Sequence, residues 1–166
     1  NGKKIVLCHG VFDLVHIGHL KHFESAKKFG DILVVTITED KFINKGPQRP
    51  IFNSKFRAEL ISSFEVVDYV AISDEADATK MLKILKPNIY CKGKEYKKSG
   101  NDITDNIKKE IKAIKSVGGQ MRYTDDIVFS SSNLINHSPD LINKNKRNIF
   151  NSIANYNIEN INILLS

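Results

Sequence analysis

The 166-residue chain has no apolar run near the roughly 18 consecutive residues of a membrane helix, and no charged-then-apolar leader at its start. A cytoplasmic protein with no membrane partner is therefore expected. Cysteine is scarce: Cys8 and Cys91 lie far apart, each inside an apolar strand-like run, with no paired redox motif. Buried reduced thiols are expected rather than a disulfide. By spacing alone, Cys8, Cys91, His9, His22 and His137 form no recognisable ligand set, so no metal ligand is assigned and His9 and His22 read as incidental. Tryptophan is absent, no internal repeat is visible, and no nucleic-acid-binding motif accompanies the net charge of +6 and the pI near 9.2. The lysines are spread along the chain without interleaved aromatics, as on solvated helix faces, and nucleic acid is not an expected partner. Such a basic field can still draw a polyanionic nucleotide into a cleft.

A hydrophobic content of 41% suffices for a core in one domain of ordinary size. Strand-like runs recur at Ile5–Cys8, Ile32–Thr38, Val66–Ile72, Ile89–Lys92 and Gln120–Tyr123. Between them, Leu20–Phe29, Lys55–Phe64, Thr79–Leu85 and Ile107–Val117 carry helical spacing. Asn53 or Ser54 is placed to cap the second helix, Gly30 and Gly118 to end the first and fourth, and Pro87 to close the third. The alternation predicts an α/β fold, a Rossmann-like, doubly wound parallel sheet of about five strands with helices on both faces. Ligands bind such sheets at the carboxyl ends of the strands, where the strand order reverses. After Asn136 the composition turns polar and Lys/Asn-rich before a last apolar run, Ile161 to Leu165. A domain over 1–137 is expected, with 138–166 either a linker into the first strand of a truncated module or a helix packed on this domain.

The most informative segment is Gly10-Val11-Phe12-Asp13-Leu14-Val15-His16-Ile17-Gly18-His19. It follows the first strand and precedes helical spacing, so His16 and His19 fall where a strand hands over to a helix. A helix start offers unpaired N–H groups and the positive end of the dipole, Gly10 and Gly18 allow a ligand close to the backbone, and two imidazoles can hydrogen-bond a triphosphate. Surface histidines or half of a metal site are the plainer alternative.

These residues resemble the GxFDxxHxGH signature of the cytidylyltransferase-like nucleotidyltransferases, which include glycerol-3-phosphate cytidylyltransferase and the adenylyltransferase module of ADP-heptose synthase. The similarity runs to about Asn136, through Lys45-Gly46-Pro47-Gln48-Arg49-Pro50-Ile51, Arg57-Ala58-Glu59-Leu60, Val67-Asp68-Tyr69-Val70, Lys92-Gly93-Lys94-Glu95-Tyr96 and Ser130-Ser131-Ser132-Asn133-Leu134-Ile135. It implies transfer of a nucleotidyl group from ATP or CTP to a sugar or polyol phosphate, with release of pyrophosphate. Mg2+ is expected on the triphosphate, the enzyme is expected to be a homodimer, and a sugar kinase module is the expected companion in a longer chain.

The resemblance puts His16 and His19 at the triphosphate, with Gly10, Val11, Phe12, Asp13 and Gly18 contacting the nucleotide. Asp13 is expected to hold the loop rather than act as a base, because a phosphate nucleophile is already ionised. Lys45 and Arg49 lie in a segment that Pro47 and Pro50 keep from being a helix, and two cations on such a loop can clamp phosphates; a solvated loop is the alternative. Arg57 reaches the phosphates in the family; a surface salt bridge is the alternative. Lys92, Gly93 and Glu95 leave the fourth strand at the same edge, in a stretch resembling the heptose enzyme's KGxDY with Glu95 for its aspartate. Ser130, Ser131 and Ser132 offer hydroxyls and N–H groups to an anion, or simply cap a helix. Before them, Asp125, Asp126, Ile127 and Val128 stand where glycerol-phosphate enzymes have Arg-Thr-Glu-Gly. That departure and the heptose-like stretches favour ATP, with CTP:glycerol-3-phosphate cytidylyl transfer the runner-up. A non-catalytic nucleotide-binding scaffold of a kinase fusion is the third reading.

Overall fold

The computed structural model describes residues 2–46, 49–96 and 106–125, apart from the side chain of Glu95. In chain order the elements are β1 (Ile5–Gly10), α1 (Ile17–Lys27), β2 (Ile32–Thr38), α2 (Ser54–Ser62), β3 (Tyr69–Ser73), α3 (Thr79–Leu85), β4 (Ile89–Gly93), α4 (Asn106–Ser116) and β5 (Gln120–Thr124). Short 3-10 turns follow β2 at Asp40–Phe42 and β4 at Lys94–Tyr96. All five strands are parallel, in the order β3-β2-β1-β4-β5. The order reverses between β1 and β4, so the crevice of the fold opens beyond Gly10 and Gly93.

Strand alternation divides the core in two. Val6, Cys8, Leu33, Val35, Ile37, Ile89 and Cys91 face α1 and α2 through Phe23, Ala26 and Ile61. Their neighbours Leu7, Val34 and Tyr90 face α3 and α4 through Leu82, Ala113 and Ile114. A central strand buried on both sides has no solvent face, which is why β1 and β2 read as near-continuous apolar runs rather than alternating ones.

The differences from the sequence reading are local. α1 starts at Ile17, ahead of the first strongly apolar spacing, because His16 caps it. β3 starts at Tyr69 rather than Val66: Val67 N–H bonds back to Phe64 in a turn, and the Asp68 carboxylate takes Leu33 N–H at 2.6 Å and Lys27 Nζ at 2.5 Å. Asn53, not Ser54, caps α2, accepting from Phe56 N–H at 3.0 Å. Gly118 ends α4 with φ +80°, but Gly30 is no left-handed stop; a Cβ there would stand 2.6 Å from the Lys4 carbonyl, so this glycine lets the chain pass close to β1. The residues from 126 onward, including Ser130–Ser132 and the 138–166 tail, lie outside the described residues, as do Pro47 and Gln48.

Candidate active site

Phe12, with φ +50°, turns the chain sharply after β1. Its ring fills the space where a Cβ on Gly10 would stand, 2.9 Å from that point, and packs edge-on against His19 (5.4 Å) and Phe23 (5.3 Å). Gly10 therefore makes room for Phe12, and Phe12 buttresses the second histidine.

The two histidines form a capping box at the start of α1. His16 Nδ1 accepts from Gly18 N–H at 3.1 Å, and His19 Nδ1 accepts from His16 N–H at 3.2 Å. The rings stack with centroids 4.0 Å apart. A Nδ1 that accepts carries no proton, so each neutral ring bears its proton on Nε2. Burial holds the His19 pKa down to about 3, reinforced by the neighbouring His16, His22 and Lys45. Two neutral N–H donors thus stand side by side at the positive end of a helix.

Asp13 is buried and accepts from Ile51 N–H at 2.6 Å, from Phe52 N–H at 3.3 Å and from Arg49 Nε. It ties the histidine turn to the segment that follows residue 48. Arg49, expected to clamp substrate phosphate, has a side chain only 5% exposed and spends its Nε on this ion pair. Arg57 departs further from expectation. At 1% exposure it donates to the carbonyls of Phe52, Val11 and Thr38 and to the Asp40 carboxylate at 2.6 Å. Asp40 also accepts from Ser54 N–H at 3.1 Å. A guanidinium so enclosed braces the loops at the sheet edge; the salt-bridge alternative describes these contacts, but as a buried pair.

A cleft of about 430 Å³ opens along the carboxyl ends of β1, β2 and β4, lined among others by Gly10, Val11, Thr38, Lys45, Lys92 and Glu110. Lys45 joins it to the histidine turn. Desolvation, with Arg49 beside it, lowers the Lys45 pKa, and Lys45 in turn contributes to the depression at His19. Lys92 lies across the cleft, 3.3 Å from the His9 carbonyl, which it donates to, and 3.5 Å from Glu110, with its ammonium over the rings of Tyr90 (5.3 Å) and Tyr96 (5.0 Å). Gly93 ends β4 just beyond it, and Glu95 follows in the 3-10 turn.

Two cleft residues escaped the sequence reading. Glu110 is 3% exposed and accepts from Ala78 N–H at 3.0 Å, so one carboxylate fixes both the start of α3 and Lys92. Its signal was a charge on the apolar stripe of α4, shared with Ile107, Ala113 and Ile114. His9 is not incidental: its ring is buried at the cleft floor between Thr36 Oγ1 (2.9 Å) and Thr38 Oγ1 (3.3 Å). Burial, with Lys92 nearby, lowers its pKa to about 3.

Comparison with known proteins agrees with this geometry. The cytidylyltransferase-like family model matches residues 7–148. The bifunctional protein HldE of Aliarcobacter butzleri is 39% identical over 122 residues, which are 72% of this chain and 25% of that protein. HldE of a Nitratiruptor species is 41% identical over 122 residues, 72% of this chain and 26% of its own. The chain thus spans about a quarter of the length of these relatives. Among solved structures, a lipopolysaccharide core biosynthesis protein from Thermoplasma volcanium superposes with a TM-score of 0.60 at 29% identity, over 78% of this chain and all of its own. TmcAL of Thermotoga maritima, at 13% identity and a TM-score of 0.61 over 86% of this chain and 52% of its own, shares the fold. No helix among the described residues is long and apolar enough to cross a membrane. With its five-stranded parallel sheet and its paired histidines at the first strand-to-helix turn, the chain belongs to the cytidylyltransferase-like family and is a nucleotidyltransferase.

Proposed function

We propose that the chain transfers an adenylyl group from ATP to a sugar phosphate, in the manner of an ADP-heptose synthase, with release of pyrophosphate. An oxygen of the acceptor phosphate attacks the α-phosphorus, and the bond from that phosphorus to the bridging oxygen of the β-phosphate breaks. Nothing covalent is required of the protein, which must position the reactants and neutralise charge. The observation that carries the reading is the histidine capping box: both Nδ1 atoms are committed to backbone N–H groups, so both Nε2–H groups are donors aligned at a helix N-terminus.

Lys45 and Lys92 both bring positive charge to the cleft, the latter oriented by Glu110. The cleft carboxylates are engaged, Asp77 with Thr79 N–H at 2.8 Å and Glu110 with Ala78 and Lys92. Mg2+ would therefore arrive on the triphosphate oxygens rather than in a protein cage, and would neutralise the departing pyrophosphate. Ser130, Ser131 and Ser132 are proposed to add hydroxyl and N–H contacts to the nucleotide. The reading extends to a catalytic domain ending near residue 137, a homodimer, and a sugar kinase module as companion; the bifunctional relatives support the last.

The test is pyrophosphate release with ATP or CTP against a panel of phosphorylated heptoses, hexoses and glycerol phosphate. Faster turnover with ATP and a sugar phosphate is expected. Faster turnover with CTP and glycerol phosphate would place the chain on the cytidylyltransferase branch, and no release with any pair would leave a binding scaffold.

A further inference from the structure

Away from the cleft, both of the chain's cysteines meet one histidine. Cys8 on β1 and Cys91 on β4 are register partners in neighbouring parallel strands, so both side chains leave the sheet on the face that α1 covers. His22 of α1 stands against the pair. One ligand atom from each of the three residues lies within 4.8 Å of the other two, and among the described residues no other group of His, Cys, Asp or Glu closes in this way. Three elements far apart in sequence thus bring three soft donors to one point, within a core otherwise built of Val6, Val35, Phe23 and similar hydrocarbon.

The chemistry of the trio is specific. Two thiolates balance a divalent cation, giving a neutral unit, the charge state a core of this kind admits at least cost. His22 Nδ1 lies 2.8 Å from Thr124 Oγ1, the kind of outer partner that fixes the ring of a metal-bound histidine. Drawing three atoms from 4.8 Å separations to tetrahedral zinc geometry takes a shift of about 0.6 Å each.

We propose that Cys8, Cys91 and His22 form a Cys2His site for a thiophilic divalent cation, Zn2+ in particular, which pins α1 to β1 and β4 beneath the histidine turn. Two Zn–S bonds and one Zn–N bond form, both thiols release their protons to solvent, and water takes the fourth position. The set differs from the nucleotide's Mg2+ in both place and chemistry.

The experiment uses the untagged full chain, reduced and loaded with Zn2+, then desalted and assayed for metal. One equivalent is expected to remain, both thiols are expected to react slowly with a thiol reagent until a chelator is added, and Co2+ in place of Zn2+ should show sulfur-to-cobalt charge-transfer absorption. H22Q keeps a group able to bond Thr124 and should fold as wild type by circular dichroism, yet weaken zinc retention at least tenfold; C91S should do the same and also abolish the charge-transfer band. Zinc retained by the wild type no better than by H22Q, or cobalt bound without the charge-transfer band, would overturn the site. So would a Cys8–Cys91 disulfide found by mass spectrometry in protein that binds no zinc.

Discussion

The histidine turn at residues 10–19 and the loop between β2 and α2 both border the carboxyl edge of the sheet, and the sequence of each suggests a phosphate binder. They use their polar groups differently. In the turn, backbone N–H groups occupy the inner nitrogens of His16 and His19, so the outer ones hold the protons, while burial keeps His19 uncharged. In the loop and in the first turn of α2, Arg49 and Arg57 are enclosed and matched to Asp13 and Asp40, whereas Lys45 lines the cleft. A charge whose partner is already supplied holds structure. A cation that lines the cleft, as Lys45 does, is placed to meet a ligand's charge.

The largest effect should come from the turn. His16→Asn keeps a good cap for α1 but removes the ring, and should lower turnover by about 100- to 1,000-fold, the scale for losing one preorganised donor, with the urea midpoint unchanged. His19→Ala should act similarly on turnover. Near-wild-type rates with both residues replaced would erase the contrast between turn and loop.

Next in size, Arg49→Met and Arg57→Met should each cost about 3 to 5 kcal/mol of stability in urea unfolding, because each strands a carboxylate beside a vacated site. Asp13 is enclosed and belongs at the upper end, whereas Asp40 is about a third exposed and belongs at or below the lower one. If Arg49→Met instead kept its stability and lost turnover, Arg49 would join Lys45 on the ligand side.

His9 extends the comparison to pH. Its folded pKa of about 3 lies below the ordinary histidine value of 6.5, so the unfolded chain binds the extra proton between those limits. Its contribution to stability is complete above pH 6.5 and is lost as pH falls toward 3, at about 1.4 kcal/mol per unit, or about 2 kcal/mol by pH 5. His19 shifts in the same direction and adds to the slope. Urea midpoints measured from pH 7.5 to 5 should fall in the wild type and fall less in His9→Gln.

The smallest effect is expected at Lys45. Lys45→Ala should raise KM for the nucleotide and lower kcat, by about tenfold in kcat/KM or 1.4 kcal/mol, with stability within about 0.5 kcal/mol. Unchanged steady-state kinetics would return Lys45 to the solvated loop.

Much of the molecule was written in local pattern. Runs such as Ile32–Ile37 are almost wholly apolar because a strand covered on both faces has no solvent side, and the helical spacing of Thr79–Leu85 shows in the chain as in the structure. The strand-to-helix placement of His16 and His19 followed from the same periodicity. What spacing cannot carry is the choice of partner. That Arg49 faces Asp13, that Arg57 lies inside, that Glu110 orients Lys92 and that Cys8 meets Cys91 beside His22 all depend on segments tens of residues apart. Charge and burial there are properties of the packed sheet and its two helical layers: the same arginine is a phosphate clamp in solvent and a brace when carbonyls and a carboxylate enclose it, and only the tertiary structure decides which.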